Sequence, residues 1–248
     1  MIDKFFEYVT QKDFEPIKSF YLQNTLNPKI WHNFKIDDEI RESLLKIAND
    51  YVEHLELEDT EIDDIMLTGS NSNYNWSEYS DFDLHIIFDF EKINEDTTLV
   101  KKYLQTASKL WNEEHDLLIK GYEVEVYAQD INEPHVSSGE FSLLNNKWIK
   151  KPSKEDFEPD EELIKRKAGV LMDRIDDLEI DFKYHFNYKD LSEKVKKLWK
   201  KIKGNRQKGL YKEGEFSIEN LVFKLMRRNG YIGKLISLKS KIYDKQFK

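Results

Sequence analysis

The 248-residue chain contains no cysteine and no long apolar run. Without cysteine, disulfides, thiolate zinc sites, iron–sulfur clusters and a cysteine nucleophile are all excluded. No apolar stretch approaches the ~18 residues that a bilayer-spanning helix needs. The first residues also lack the basic-then-apolar pattern of a secretion signal. We therefore expect a soluble, cytoplasmic protein with no membrane partner.

The sequence does contain enough apolar material for a folded core. Hydrophobic residues make up 39% of the chain and aromatic residues 13%, which argues against disorder although charged residues reach 35%. The charge is unevenly distributed, because residues 1–150 carry a net −17 whereas residues 183–248 carry a net +13. Lysine-rich helix surfaces explain such a basic segment as well as a polyanion-binding surface does. Nucleic acid is the usual polyanion.

Hydrophobic spacing divides the chain into a mixed α/β part and a helical part. Apolar runs and alternation predict strands and a hairpin at 64–68, 82–90, 119–128 and 141–149. Helical spacing predicts helices around 38–55, 97–111, 163–178, 191–202 and 218–226. A linker is expected between them at 151–159, where the composition changes.

These patterns predict an α+β fold, with a small mixed or antiparallel sheet flanked by helices and an all-helical region after it. We predict three segments along the chain. They are an N-terminal helical extension at 1–36, a catalytic domain at 37–150 and a basic helical C-terminal domain at 160–248.

Two carboxylates carry the clearest chemical signal. Asp81 and Asp83 stand two apart at the start of a predicted strand, so both project from one face of the sheet. Like charges held this close repel each other, and a divalent cation removes the repulsion. Mg²⁺ takes oxygen ligands and commonly bridges carboxylates to substrate phosphates.

A glycine-serine pair supplies a second signal. Gly69 and Ser70 follow an apolar run, and glycine permits a tight turn that brings the backbone close to a ligand. We expect a helix to begin here, with its free N–H groups and positive end directed at phosphate. The Ser70 hydroxyl adds a further donor to the terminal phosphates. One turn then holds a triphosphate, and the following strand holds metal ions beside it.

Together the apolar strand, the Gly-Ser pair, ten further residues and Asp-apolar-Asp-apolar resemble the nucleotidyltransferase superfamily typified by DNA polymerase beta. The run from Ser80 to Leu84 is similar to the Ser-Asp-Ile-Asp-Leu form common in that group. The resemblance covers about residues 60–130. It implies that Asp81 and Asp83 bind Mg²⁺ or Mn²⁺, and that Gly69 and Ser70 bind the β and γ phosphates of an NTP such as ATP.

Members of that superfamily carry a third carboxylate on a neighbouring strand. Glu125 and Glu123 both fit, and because they share a face, alternation does not choose between them. We prefer Glu125, which lies between two valines deeper in the strand, and keep Glu123 as the alternative. The chain also departs from the family, since many relatives place an arginine or threonine soon after Gly-Ser. Here three asparagines follow instead, Asn71, Asn73 and Asn75.

The resemblance implies a metal-dependent transfer of an NMP from an NTP to an acceptor hydroxyl, with release of pyrophosphate. Asp81, Asp83 and Glu125 are the expected catalytic and metal-binding residues. The basic C-terminal helices favour an RNA end as the acceptor. Two alternatives stay open: the same chemistry on a small molecule, a nucleotide or a protein, and a catalytically silent nucleotide-binding or regulatory module.

Overall fold

The computed structural model describes residues 14–57, 60–134, 137–154, 156–184 and 187–247. The first 13 residues of the predicted N-terminal extension therefore lie outside the described residues. None of the helices in the described ranges combines the length and the apolar character needed to cross a membrane.

The chain forms two compact units. One is the continuous segment Leu22–Asp156, and the other combines the chain as far as Tyr21 with the chain from Phe157 onward. Each unit has its own cluster of buried apolar side chains. The domain boundaries at 36, 150 and 160 stay predictions.

The segment Leu22–Asp156, which we call the sheet unit, is a mixed α+β structure, and this confirms the predicted fold class. Its elements are β1 (Trp31–His32), β2 (Lys35–Ile36), α1 (Asp38–His54), β3 (Asp64–Thr68), β4 (Phe82–Phe88), α2 (Phe90–Ile93), α3 (Thr97–Glu114), β5 (Leu118–Ile119), β6 (Tyr122–Asp130), β7 (Glu140–Ser142) and β8 (Lys147–Lys150). Six strands form one sheet in the order β5-β6-β4-β3-β7-β8. β4 and β6 are parallel, and the other neighbours are antiparallel.

Alternation along β4 decides which side chains face the core. Phe82, Leu84 and Ile86 are fully buried in the sheet unit's apolar cluster. The side chains between them, Asp83 and His85, point to the other face and are half-buried. The same alternation that places apolar side chains in the core therefore places the Asp83 carboxylate on the opposite face of the sheet.

Helix α1 begins where the sequence predicts. The Asp37 carboxylate accepts hydrogen bonds from the backbone N–H groups of Glu39 and Ile40 at 3.1 and 3.2 Å. This side-chain cap satisfies donors that the first turn of a helix leaves free. Along α1, Ile40, Leu44 and Ala48 are buried, which places its apolar stripe on the sheet core.

In its described residues, the second unit, which we call the helical unit, contains four long helices and 3-10 helices at Glu15–Phe20 and Gly214–Phe216. The helices are α4 (Glu161–Tyr184), α5 (Tyr188–Glu213), α6 (Ile218–Arg228) and α7 (Tyr231–Lys245). The predicted end of α5 near Gly204 is wrong. Glycine inside a helix costs only about 1 kcal/mol, and the helix continues until Gly214, whose φ of 73° breaks it.

Candidate active site

Three carboxylates meet on the exposed face of the sheet. One oxygen from each of Asp81, Asp83 and Glu125 lies within 4.8 Å of the other two, and all three side chains are half-buried. Strand register brings them together, because β4 and β6 pair in parallel with Asp83 directly beside Glu125. Asp81 immediately precedes β4 and projects from the same face.

The two glutamates of β6 are placed differently. Glu125 lies beside Asp83, whereas Glu123 pairs with Leu118 of β5 and is exposed. The acidic cluster therefore contains Glu125 and does not contain Glu123. Alternation alone gives both residues the same face, and the parallel register of β4 and β6 separates them.

Gly69 lies directly against the acidic cluster. Its backbone has φ 76° and ψ −165°, a region that side-chain-bearing residues rarely adopt. A Cβ atom at this position would stand 1.7 Å from the Asp83 carboxylate oxygen Oδ2. The absence of a side chain at Gly69 therefore makes the space that the Asp83 carboxylate occupies.

The prediction that a regular helix begins after Gly69 is wrong. A single 3-10 turn at Ser70–Ser72 follows the glycine, and an extended residue, Asn73, ends it. The Ser70 hydroxyl shares a hydrogen bond of 2.8 Å with the Ser80 hydroxyl, which ties the two ends of the loop together. Ser70 thus lies near the cluster, at the start of one 3-10 turn and not of an α-helix.

Asn71, one of the three asparagines that follow the Gly-Ser pair, holds the loop in place. Asn71 is fully buried, and its side-chain N–H₂ donates to the backbone carbonyl of Asp81 at 3.0 Å. The side-chain carbonyl of Asn71 accepts a hydrogen bond from the Asn27 amide at 3.0 Å. Its backbone carbonyl accepts one from the Trp31 indole at 2.7 Å. Buried amides with these partners fix the backbone that leads into the acidic cluster.

Tyr127 is a residue that the sequence reasoning missed. Its hydroxyl donates a hydrogen bond to the Glu125 carboxylate. Burial, followed by the negative charges of Glu125 and Asp83, raises the pKa of Tyr127, so the hydroxyl stays protonated as a donor. Tyr127 lies two residues after Glu125 on the same strand face, and this spacing is the signal that could have identified it.

His85 is held by contacts with two neighbouring side chains of β6. Its ring stacks on Tyr127 with a centroid distance of 5.1 Å, and its Nδ1 lies 2.7 Å from the Gln129 side-chain oxygen. These two contacts orient the Tyr127 ring and, through it, the hydroxyl that binds Glu125.

A cleft opens beside Glu125 along the edge of β6. It has a volume of about 550 Å³ and lies between α3 and β6, with Glu125 and Tyr127 on its strand side. Its helix side includes Lys109, which pairs with Glu113 at 3.4 Å. The cleft gives a substrate group room to approach the acidic cluster, and Lys109 is a basic residue that lines it.

The acidic cluster could bind a divalent metal. It offers oxygen ligands only, which suits a hard cation such as Mg²⁺ or Mn²⁺. The space that Gly69 leaves for the Asp83 carboxylate, and the hydrogen bond from Tyr127, hold two of the three carboxylates in place. The residues present therefore fit a metal ion at this position.

Comparison with known proteins places the chain in no family. No protein-family model matches it, and no curated protein matches it either. A similar solved structure is the STING-associated CdnE c-di-GMP synthase from Capnocytophaga granulosa. It is 15% identical, the alignment covers 98% of this chain and 97% of that chain, and the TM-score is 0.20. A likeness at that TM-score carries no inference, so the chain's own residues must indicate its function.

Proposed function

We propose that the protein is a metal-dependent nucleotidyltransferase that moves an NMP from an NTP to an acceptor hydroxyl and releases pyrophosphate. The observation that supports it is the convergence of Asp81, Asp83 and Glu125 directly beside the Gly69-Ser70 turn. Carboxylates gathered for metal ions next to a tight backbone turn suit phosphate-bearing substrates.

Each of these residues has a defined task in the reaction. Asp81, Asp83 and Glu125 hold the metal, and Gly69 and Ser70 contact the β and γ phosphates through the backbone N–H groups and the hydroxyl. When bound, the metal neutralises phosphate charge and polarises the phosphoryl oxygens. Ser70 must exchange its present hydrogen bond with Ser80 for a phosphate oxygen.

The transfer step is an in-line displacement. The acceptor oxygen forms a bond to the α-phosphorus, the bond from the α-phosphorus to the bridging oxygen breaks, and pyrophosphate leaves. Glu125 takes up the hydroxyl proton of the acceptor. The work of the protein is mainly positioning and charge neutralisation.

For the acceptor we propose an RNA end, because the helical unit contains the basic segment 183–248 with its net charge of +13. A small molecule, a nucleotide or a protein hydroxyl supports the same chemistry. A silent nucleotide-binding module is the remaining alternative, and the presence of all three carboxylates argues against it.

Metal and nucleotide binding test the proposal first. Mn²⁺ binding followed by electron paramagnetic resonance, and NTP binding followed by calorimetry with and without Mg²⁺, are compared for the wild type, Asp83→Asn and Glu125→Gln. We expect Mg²⁺-dependent NTP binding in the wild type and loss of Mn²⁺ binding in both variants. Glu123→Gln is the matched control and should bind as the wild type does. A wild-type protein without Mg²⁺-dependent NTP binding would contradict the proposal.

The acceptor is identified by labelling. The protein is incubated with each α-labelled NTP, Mg²⁺ and separate pools of RNA, protein and metabolites, and the labelled product shows the acceptor class. Asp83→Asn should lower transfer by about a hundredfold or more, since it removes a negatively charged ligand of the metal. If this variant transfers at the wild-type rate, Asp83 is not a ligand of the catalytic metal.

A further inference from the structure

The helical unit contains a surface groove made by three of its helices. A hollow of about 400 Å³ lies between α4, α5 and α6, and a second hollow of about 360 Å³ lies between α4 and α5. Arg174 and Lys201 line both hollows, so the two adjoin. We call the pair of hollows the α4–α5 groove.

Cations without partners line this groove. Arg166 and Arg174 of α4, and Lys197 and Lys201 of α5, are exposed, and within the described ranges none of them has a hydrogen bond or an ion pair. The acidic residue Asp177 also lines the second hollow. Positive charge therefore exceeds negative charge along the rim.

The remaining charges of the groove are already paired. Lys167 bonds Glu219 at 2.8 Å, and Lys194 bonds Asp190 at 2.9 Å. These pairs contribute little net charge. The unpaired cations therefore carry most of the net positive charge of the groove.

Between the cations the floor of the groove is apolar. Val170 and Leu171 of α4, Ile202 of α5, and Val222 and Phe223 of α6 line the first hollow. Ile202, Val222 and Phe223 are buried, while Leu171 is half-buried and accessible. An occupant that suits both parts needs a flat, weakly polar group for the floor and negative charges on either side of it.

The cations are spaced along the helices. Arg166 and Arg174 are eight residues apart on one side of α4, which corresponds to ~12 Å along the axis. Lys197 and Lys201, one turn apart, form a matching unpaired pair on α5. Such a row suits a chain of repeated negative charges better than a single anion. Duplexes hide their bases, whereas single strands expose them for stacking and apolar contact.

We propose that the α4–α5 groove binds single-stranded RNA, with a base on the apolar floor and neighbouring phosphates on Arg174, Lys197 and Lys201. This proposal rests on the RNA acceptor of the proposed function, but it concerns a site with no catalytic group. Binding at the groove needs neither a metal nor an NTP, so it can be tested separately from transfer.

The experiment measures binding of a fluorescein-labelled 12-nucleotide oligouridine to the full chain by anisotropy, in EDTA and over a series of salt concentrations. We expect the double variant Arg174→Ala, Lys201→Ala to bind roughly tenfold or more weakly at moderate salt. The slope of log affinity against log salt should fall in magnitude by about 1.4, since each lost phosphate contact on a single strand contributes about 0.7.

Two further variants separate the groove from general charge. Lys239→Ala with Lys241→Ala on α7 removes the same charge from exposed positions outside the groove, and should leave affinity within twofold of the wild type. Leu171→Asn changes the floor without changing charge. It should weaken oligouridine binding and leave the salt slope unchanged. Circular dichroism and thermal melting confirm that each variant is folded.

Several results would overturn the proposal. They are no binding of the oligonucleotide, equal losses in the groove and control double variants, binding of a duplex as tight as that of the single strand, and competition by inorganic polyphosphate equal to that by RNA. Because the assay contains EDTA, a failure here leaves the metal-dependent transfer proposal intact. A failure of metal or NTP binding likewise leaves the groove proposal standing.

Discussion

Gly69 lies where a side chain would collide with the Asp83 carboxylate. We expect Gly69→Ala to lower the free energy of unfolding by about 1–3 kcal/mol, because alanine must adopt the glycine-only backbone conformation. Its Cβ must also displace Asp83 Oδ2, which stands 1.7 Å from that position. Metal affinity should therefore fall together with stability. Urea unfolding and a Mn²⁺ titration measure the two effects.

Gly121 provides the matched control for that substitution. It also has a positive φ, 88°, but no atom lies within 4 Å of the position its Cβ would take. Gly121→Ala should show the loss of stability and keep Mn²⁺ binding. Equal losses of metal affinity in the two variants would show that backbone strain, and not the contact with Asp83, explains the effect at Gly69.

Tyr51 makes stability depend on alkaline pH. Burial raises its pKa, the hydrogen bond shared with Ser108 opposes that shift, and Tyr103 adds to it. A raised pKa means that stability is complete below the unfolded value of ~10 and is lost as pH rises above it. The wild type should lose up to about 1.4 kcal/mol per pH unit more than Tyr51→Phe above pH 10. Urea unfolding at several pH values measures this difference.

Tyr211 is the control for this pH effect. It is 91% exposed, so removing its hydroxyl should leave the packing of the folded chain unchanged. Tyr211→Phe should keep the wild-type pH profile. A Tyr51→Phe profile identical to that of the wild type would contradict the argument from burial.

At the scale of residues, the sequence identified the acidic cluster better than it identified the residues that hold the cluster in position. Asp81 and Asp83 could be found because two carboxylates are poor strand material in an otherwise apolar run. The choice of Glu125 over Glu123 needed the register of β4 and β6, which no local pattern contains. The burial of Asn71 depends on Asn27 and Trp31, more than 35 residues away, and is a tertiary effect.

Helix α3 protects the open edge of β6. Beyond Glu123 no described strand pairs with that edge. The Asn112 side chain makes the hydrogen bonds there that a neighbouring strand would otherwise make. Its side chain donates to the Val126 carbonyl at 3.0 Å and accepts from the Val126 N–H at 2.9 Å. Asn112→Ala should lower the free energy of unfolding by about 2–4 kcal/mol, since two backbone groups lose their partners. Chemical denaturation measures the change.

Asn132 serves as the control for the edge. Its exposed side chain, as far as the described ranges show, bonds the carboxylate of Asp130 two residues away, so Asn132→Ala should change stability by less than about 0.5 kcal/mol. An exposed strand edge also promotes association. Light scattering should therefore show aggregation of Asn112→Ala before that of Asn132→Ala. A stable, monodisperse Asn112→Ala protein would contradict the role assigned to this side chain.

Elements with a strong period were predicted well, and their ends less well. The spacing of apolar residues found β3 and α1 within a residue or two, because β3 is a short run buried on both faces and α1 buries one regular stripe. Glycine was a poor guide to one helix end. Gly204 lies inside α5, whereas α6 ends at Arg228, close to its predicted end and two residues before Gly230. Glycine ends a helix where its backbone also leaves the helical region, as at Gly214 and Gly230, whose φ angles are 73° and 75°.

On the scale of the whole chain, the two apolar clusters share no residue in the described ranges. The sheet unit is one continuous segment of the chain, whereas the helical unit combines residues that precede that segment with residues that follow it. Tryptophans distribute unevenly between the units, with Trp31, Trp76, Trp111 and Trp148 in the sheet unit and Trp199 in the helical unit. In a Trp199→Phe background, tryptophan fluorescence therefore reports on the sheet unit alone.

A matched pair of core substitutions tests whether each cluster stabilises its own unit. Leu44 in the sheet unit and Leu225 in the helical unit are both fully buried. In the Trp199→Phe background, Leu44→Ala should lower the stability seen by fluorescence by about 2–5 kcal/mol, because it leaves a cavity in that core. Leu225→Ala should leave the fluorescence transition in place and shift the helical signal at 222 nm. If both substitutions move both transitions equally, the chain unfolds as one cooperative body, and separate cores do not imply separate stabilities.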